Sequence, residues 1–102
     1  MDISLQDALS RLRTWREENA SLELHFAGRG VLRDEWVSIR DIRGTAVELE
    51  SEGGKLPLNF DGAVFDWDDK APASSNFDEA LHAKFPNGDR CLISRLRASR
   101  SA

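Results

Sequence analysis

Apolar residues recur first at three- and four-residue spacing and then, beyond residue 20, at every second position. Leu5, Ala8, Leu9, Leu12 and Trp15 carry the first pattern, with Gln6, Asp7, Arg11, Arg13 and Glu17 between them. This is the stripe of an amphipathic helix. The helix is predicted to span about residues 4–18, because Asp2 or Ser4 can cap its start, Asp7 suits the positive end of its dipole and Asn19 can end it.

From Ser21 the period is two. Leu22, Leu24 and Phe26 alternate with Glu23 and His25 in a first strand that stops at Gly28-Arg29-Gly30. Val37 and Ile39 form the inward side of a second strand, which turns Trp36, Ser38 and Arg40 outward. Val47 and Leu49 alternate with Glu48 and Glu50 in a third strand, between turns at Gly44 and at Glu52-Gly53-Gly54-Lys55. In the fourth, Leu56, Leu58 and Phe60 share one parity and Ala63, Phe65 and Trp67 the other. A bulge or sharp bend at Asp61-Gly62 would keep both sets inward. Pro57 has no amide hydrogen, so this strand belongs at a sheet edge.

Phe85-Pro86-Asn87-Gly88-Asp89 predicts a type I turn closed by a left-handed glycine. The register that follows pairs Phe85 with Asp89, Ala83 with Cys91 and Leu81 with Ile93, leaving His82, Lys84, Arg90 and Ser94 on the other face. A single domain over residues 1–97 is expected, with strands between residues 21 and 96. Residues 68–77, rich in Asp, Ala, Pro and Ser, read as a mobile linker and residues 98–102 as a flexible tail.

One helix followed by five or six short, strongly bent antiparallel strands predicts an α+β, mainly β chain: a small, partly open barrel with the helix over one mouth. The helix, Leu22 to Phe26, the Gly28-Arg29-Gly30 turn, Val31 to Ile39 and Gly44-Thr45-Ala46-Val47-Glu48-Leu49 together resemble the Sm-like (LSm) family, and other SH3-like barrels share the pattern. The resemblance implies a small barrel that assembles through exposed strand edges. The family's late basic-Gly pair would fall at Asp61-Gly62, an acid in place of the base, which turns the reading from RNA binding toward assembly.

Composition narrows the function. A chain of 102 residues, 40% hydrophobic and 31% charged, suits one globular domain, and a net charge of −4 opposes general polyanion binding. One cysteine cannot form an internal disulfide, and no apolar run reaches the length of a membrane helix, so a cytoplasmic protein without a membrane partner is expected. Cys91 and His82 are placed on opposite faces by the hairpin register and cannot act as a nucleophile and base. Asp61, Asp66, Asp68 and Asp69 lack the loop spacing of a calcium site and read as a solvated rim. His25 reads as a surface residue without a second His or Cys at ligand spacing. No phosphate loop or serine elbow occurs, so no catalytic residue, metal or cofactor is assigned.

The candidate binding surface is Trp36 with Arg40, Arg29, Arg33 and Arg43, where an aromatic ring and guanidinium groups could stack on a partner. Asp34, Glu35 and Asp41 lie among these arginines and could pair with them instead. The chain is therefore expected to be a non-catalytic binding or assembly module. A homo-oligomer formed through barrel edges is favoured, with a protein partner at Trp36 also possible. The alternative is RNA or DNA binding through the Arg/Trp surface, and the third reading is an unrecognised enzyme.

Overall fold

The helical stripe folds as its spacing dictates. In the computed structural model, which describes residues 1–28, 31–70 and 76–96, a two-residue strand β1 (Asp2–Ile3) leads into helix α1 (Leu5–Glu17). Ser4 caps α1, its hydroxyl accepting the Asp7 amide at 3.1 Å. Asn19 takes the left-handed conformation (φ 55°). The Asn19 and Ala20 amides bond back to the carbonyls of Arg16 and Trp15, the closing pattern in which a left-handed residue satisfies the last helical acceptors. Ala8, Leu9, Leu12 and Trp15 form the buried face.

Seven further strands follow: β2 (Leu22–Gly28), β3 (Val31–Arg43), β4 (Ala46–Ser51), β5 (Gly54–Asn59), β6 (Val64–Asp68), β7 (Phe77–Lys84) and β8 (Arg90–Leu96). They do not make the expected five- or six-stranded Sm-like or SH3-like barrel. All eight strands join one open antiparallel sheet in the order β1-β6-β7-β8-β2-β3-β4-β5. The difference has identifiable causes. β8 pairs with β2 and so fuses two meanders, β2 to β5 and β6 to β8, into a single sheet. The parity break after Phe60 is a change of strand: β5 is one edge of the sheet, as Pro57 predicts, and β6 lies beside the other edge, β1. Alternation fixes which face a residue takes but not which strands become neighbours.

The sheet is nevertheless strongly curled. α1 packs against both β3 and β6, which stand four places apart in the strand order. A bulge at Arg40, where Ile39 pairs with Leu49 but Asp41 with Glu48, helps β3 bend. The apolar face of α1 fills the concave side with Leu22, Leu24, Val37, Leu49, Phe65, Trp67, Leu81 and Ile93. Residues 60–63 cross from one margin of the sheet to the other. There Phe60, wholly buried, stacks on Phe85 (centroids 5.6 Å, planes 10° apart) and meets Phe65 edge-on at 5.5 Å. This aromatic latch does by side-chain packing what a closed barrel does by hydrogen bonding.

The β7–β8 hairpin has the expected register, with Leu81 opposite Ile93 and Ala83 opposite Cys91. Phe85 N–H bonds to the Asp89 carbonyl at 2.8 Å, and Gly88 takes φ 93°. β6 ends at Asp68 and β7 begins at Phe77, the limits within which the 68–77 linker is expected. Residues 71–75 of that linker and the 98–102 tail lie outside the described residues. No helix among the described residues is long and apolar enough to cross a membrane.

Candidate functional site

Period-two alternation on β3 buries Val37 and Ile39 and turns Trp36 to the convex face of the sheet, where it is 63% exposed. That exposure is informative because Trp15 and Trp67 are both 2% exposed. Their rings pack 5.4 Å apart, the Arg11 guanidinium lies over Trp67, and the Trp15 indole N–H bonds to Glu79. Trp36 has no aromatic or cationic neighbour of this kind among the described residues. Its ring borders a shallow groove of about 610 Å³ that also includes Ala20, Leu22, Leu96, Glu50 and Glu52. Glu23 lies directly across the ladder from Trp36, and Glu50 is opposite Ser38. The groove thus has an apolar floor, one exposed indole and an acidic rim.

The arginines grouped with Trp36 are dispersed. Arg40 shares its face, but its guanidinium is 2.7 Å from Glu50 and 3.6 Å from Glu48, and the Glu50 bond holds it still more firmly protonated. Arg33 has the parity of Val37, so it takes the opposite face, pairing with Glu35 at 2.9 Å. Arg43 sits at the β3–β4 turn, about 23 Å along the strand from Trp36 at the usual rise per residue. It bonds to Asp41 at 2.7 Å, which with the Ile42 amide pulls that carboxyl below its ordinary range. Arg29 lies outside the described residues. Of the five predicted residues the structure therefore brings together Trp36 and Arg40, and Arg40 is already neutralised. The carboxylates interleaved in the sequence are the partners of the arginines.

Cys91 is 3% exposed within the core, and burial pushes its thiol up to about 12. His82 is on the other side of the sheet, opposite Asp66 and Leu92. The two cannot exchange a proton directly.

One cluster escapes the sequence reading. Glu23 and His25 share the convex face two residues apart on β2, and Asp34 of β3 stands directly opposite His25. His25 Nε2 is 2.7 Å from Glu23 Oε1 and its Nδ1 is 3.4 Å from Asp34 Oδ1. The signal was present only in the pairing of β2 with β3, since His25 and Asp34 are nine residues apart in sequence and carry no ligand spacing.

Compared with protein-family models, with curated proteins and with solved structures, the chain finds no match in any of the three.

Proposed function

We propose that this protein is a non-catalytic binding module that docks a cationic, partly apolar segment of a partner protein on the convex groove at Trp36. The observation that carries the reading is the exposed, unstacked indole beside Glu23 and Glu52, with Glu50 committed to Arg40. A ring face attracts Lys or Arg, the neighbouring carboxylates of Glu23 and Glu52 supply countercharge, and the partly exposed Ala20 and Leu96 offer apolar contact. Glu52 forms no ion pair among the described residues, while Arg40 is engaged by two carboxylates and Lys55 is opposite Glu50. The net charge of −4 points the same way.

The edges of the sheet favour face docking over strand addition. β1 is only two residues long, and β5 contains Pro57, which cannot donate to an added strand. Self-association remains a proposal that the same experiment reads. Nucleic-acid binding is the weaker alternative, because Arg33, Arg40 and Arg43 already have carboxylate partners.

The test is a titration, followed by fluorescence anisotropy, of a labelled capped peptide of alternating Arg and Leu. A Glu/Leu counterpart, a single-stranded DNA oligonucleotide and light scattering of the protein alone accompany it. The Arg/Leu peptide is expected to bind, to weaken with salt, and to lose affinity about tenfold or more in Trp36→Ala and severalfold in Glu52→Gln, the range of an aromatic hot spot. Equal binding of the acidic peptide, unchanged binding by Trp36→Ala, preferential binding of DNA, or a dimer dissolved by Trp36→Ala would each overturn the proposal.

A further inference from the structure

We infer that Glu23, His25 and Asp34 form a binding site for a divalent transition-metal ion of the zinc class on the outer face of the β2–β3 pair. Nothing in the proposed docking function requires this site. The inference stands on three features of the cluster.

The first is convergence. One potential ligand atom from each of the three side chains lies within 4.8 Å of the others. Tetrahedral ligands about 2.0–2.2 Å from a zinc ion stand about 3.4 Å apart. The 3.4 Å from Asp34 to His25 matches that spacing, and the 2.7 Å hydrogen bond from Glu23 would have to open by about 0.7 Å to admit an ion. Glu23 and Asp34 now address different ring nitrogens, so one carboxylate must swing round to complete the site. Asp34 is free to do so, with its side chain 66% exposed.

The second is the scaffold. β2 is an interior strand, hydrogen-bonded to β8 on one side and β3 on the other. The backbone of Glu23 and His25 is thus held by ladders on both flanks and that of Asp34 by its pairing with His25, so the adjustment falls mainly on rotamers. Sites on such elements need less reorganisation than sites on loops.

The third is the donor set. An imidazole with two carboxylates suits zinc, cobalt or nickel, whereas calcium and magnesium prefer oxygen ligands alone. Leu92 of β8, opposite His25, and Ala27 and Leu32 form an apolar wall beside the cluster. His82, the second histidine of this groove, is separated from His25 by the Leu92 strand and serves as an internal control.

The same three groups could instead clamp a protonated imidazole, and the two states respond oppositely to acid. A metal requires the unprotonated ring and is displaced as pH falls, whereas an ion-paired imidazolium gains occupancy. The experiment is calorimetric titration of the intact chain with zinc chloride at about pH 7.5 and about pH 5.5, repeated with calcium chloride. Cobalt absorption provides a second readout that reports coordination directly.

One zinc ion per chain is expected to bind in the micromolar range at the higher pH and much more weakly at the lower. His25→Ala and Asp34→Asn should each weaken it by about 10- to 100-fold, with His82→Ala unchanged. Circular dichroism of each variant establishes that it is folded, which the surface position of these residues leads one to expect. Zinc binding weaker than millimolar, binding indifferent to His25→Ala, dependence on His82 in its place, or calcium bound as tightly as zinc would each overturn the site.

Discussion

Replacing Phe60 by alanine is the sharpest test of how the sheet holds its curl. Phe60 is completely buried, stacks on Phe85 and meets Phe65 edge-on. Its own amide is tied to the Thr45 carbonyl at 2.9 Å, which fixes the backbone and limits collapse around a cavity. Phe→Ala in a core that cannot relax costs about 3–5 kcal/mol. A domain of this size has a total stability of about 5–15 kcal/mol, so the variant should lose about a fifth of it or more. At about 4 °C or more per kcal/mol, the melting temperature should fall by at least about 12 °C.

Urea denaturation followed by far-ultraviolet circular dichroism measures the loss, with the slope against denaturant checked for constancy. Phe85→Ala should cost less because Phe85 is only partly buried, and the double variant should be non-additive by about 0.5–1.5 kcal/mol for the stacked pair. A loss below about 1 kcal/mol for Phe60→Ala, or strict additivity with Phe85→Ala, would mean that the latch does not hold the sheet margins.

Three further outcomes follow from local features. Cys91, with its thiol raised to about 12 by burial, should react with a disulfide reagent at about pH 8 roughly a thousandfold more slowly in the folded chain than in urea, and a fast folded-state reaction would refute its core placement. The amino terminus is 2.6 Å from Asp66, which raises the amine above its ordinary 8.0 and lowers the carboxyl below 3.8. The amine contributes fully below pH 8.0 and fades as pH rises through its raised value, while the carboxylate contributes above 3.8 and fades as pH falls through its depressed value. Exchange protection of the Trp67 amide, bonded to the Met1 carbonyl, should decline beyond both limits, and Asp66→Asn should flatten that dependence. Gly88→Ala, at φ 93°, should destabilise by about 1–2 kcal/mol in thermal unfolding, and a neutral effect would argue for another turn.

Local periodicity made two parts of this fold legible: the helix from Leu5 to Trp15 and the hairpin around Asn87-Gly88. Both depend on residues within one turn or one tight loop of each other. The pairing of β8 with β2 depends on residues some seventy positions apart, Leu22 and Arg95 among them, and no alternation encodes it. The Asp61-Gly62 irregularity was visible as a break but not as the crossing of a whole sheet. At the candidate site, Trp36 was legible as outward because Val37 and Ile39 had to be inward. Arg33 was grouped with it through nearness in sequence although their parities differ, and parity is what the sheet obeys. The Glu23–His25–Asp34 cluster needed the register of β2 against β3, which the alternation within either strand does not determine.

Glu23 links the two inferences physically. It stands opposite Trp36 in the ladder and 2.7 Å from His25, so it belongs to the rim of the groove and to the ligand cluster together. An ion held by Glu23 would withdraw that carboxylate from a cationic partner and place positive charge beside the indole. Zinc should then weaken docking of an Arg-rich segment, and by thermodynamic reciprocity the segment should weaken zinc by the same factor. Glu52, on the far side of Trp36, is outside the cluster and would retain its pull on the partner. The antagonism is therefore bounded: it removes the part of the electrostatic attraction that passes through Glu23 and leaves the stacking on Trp36 in place.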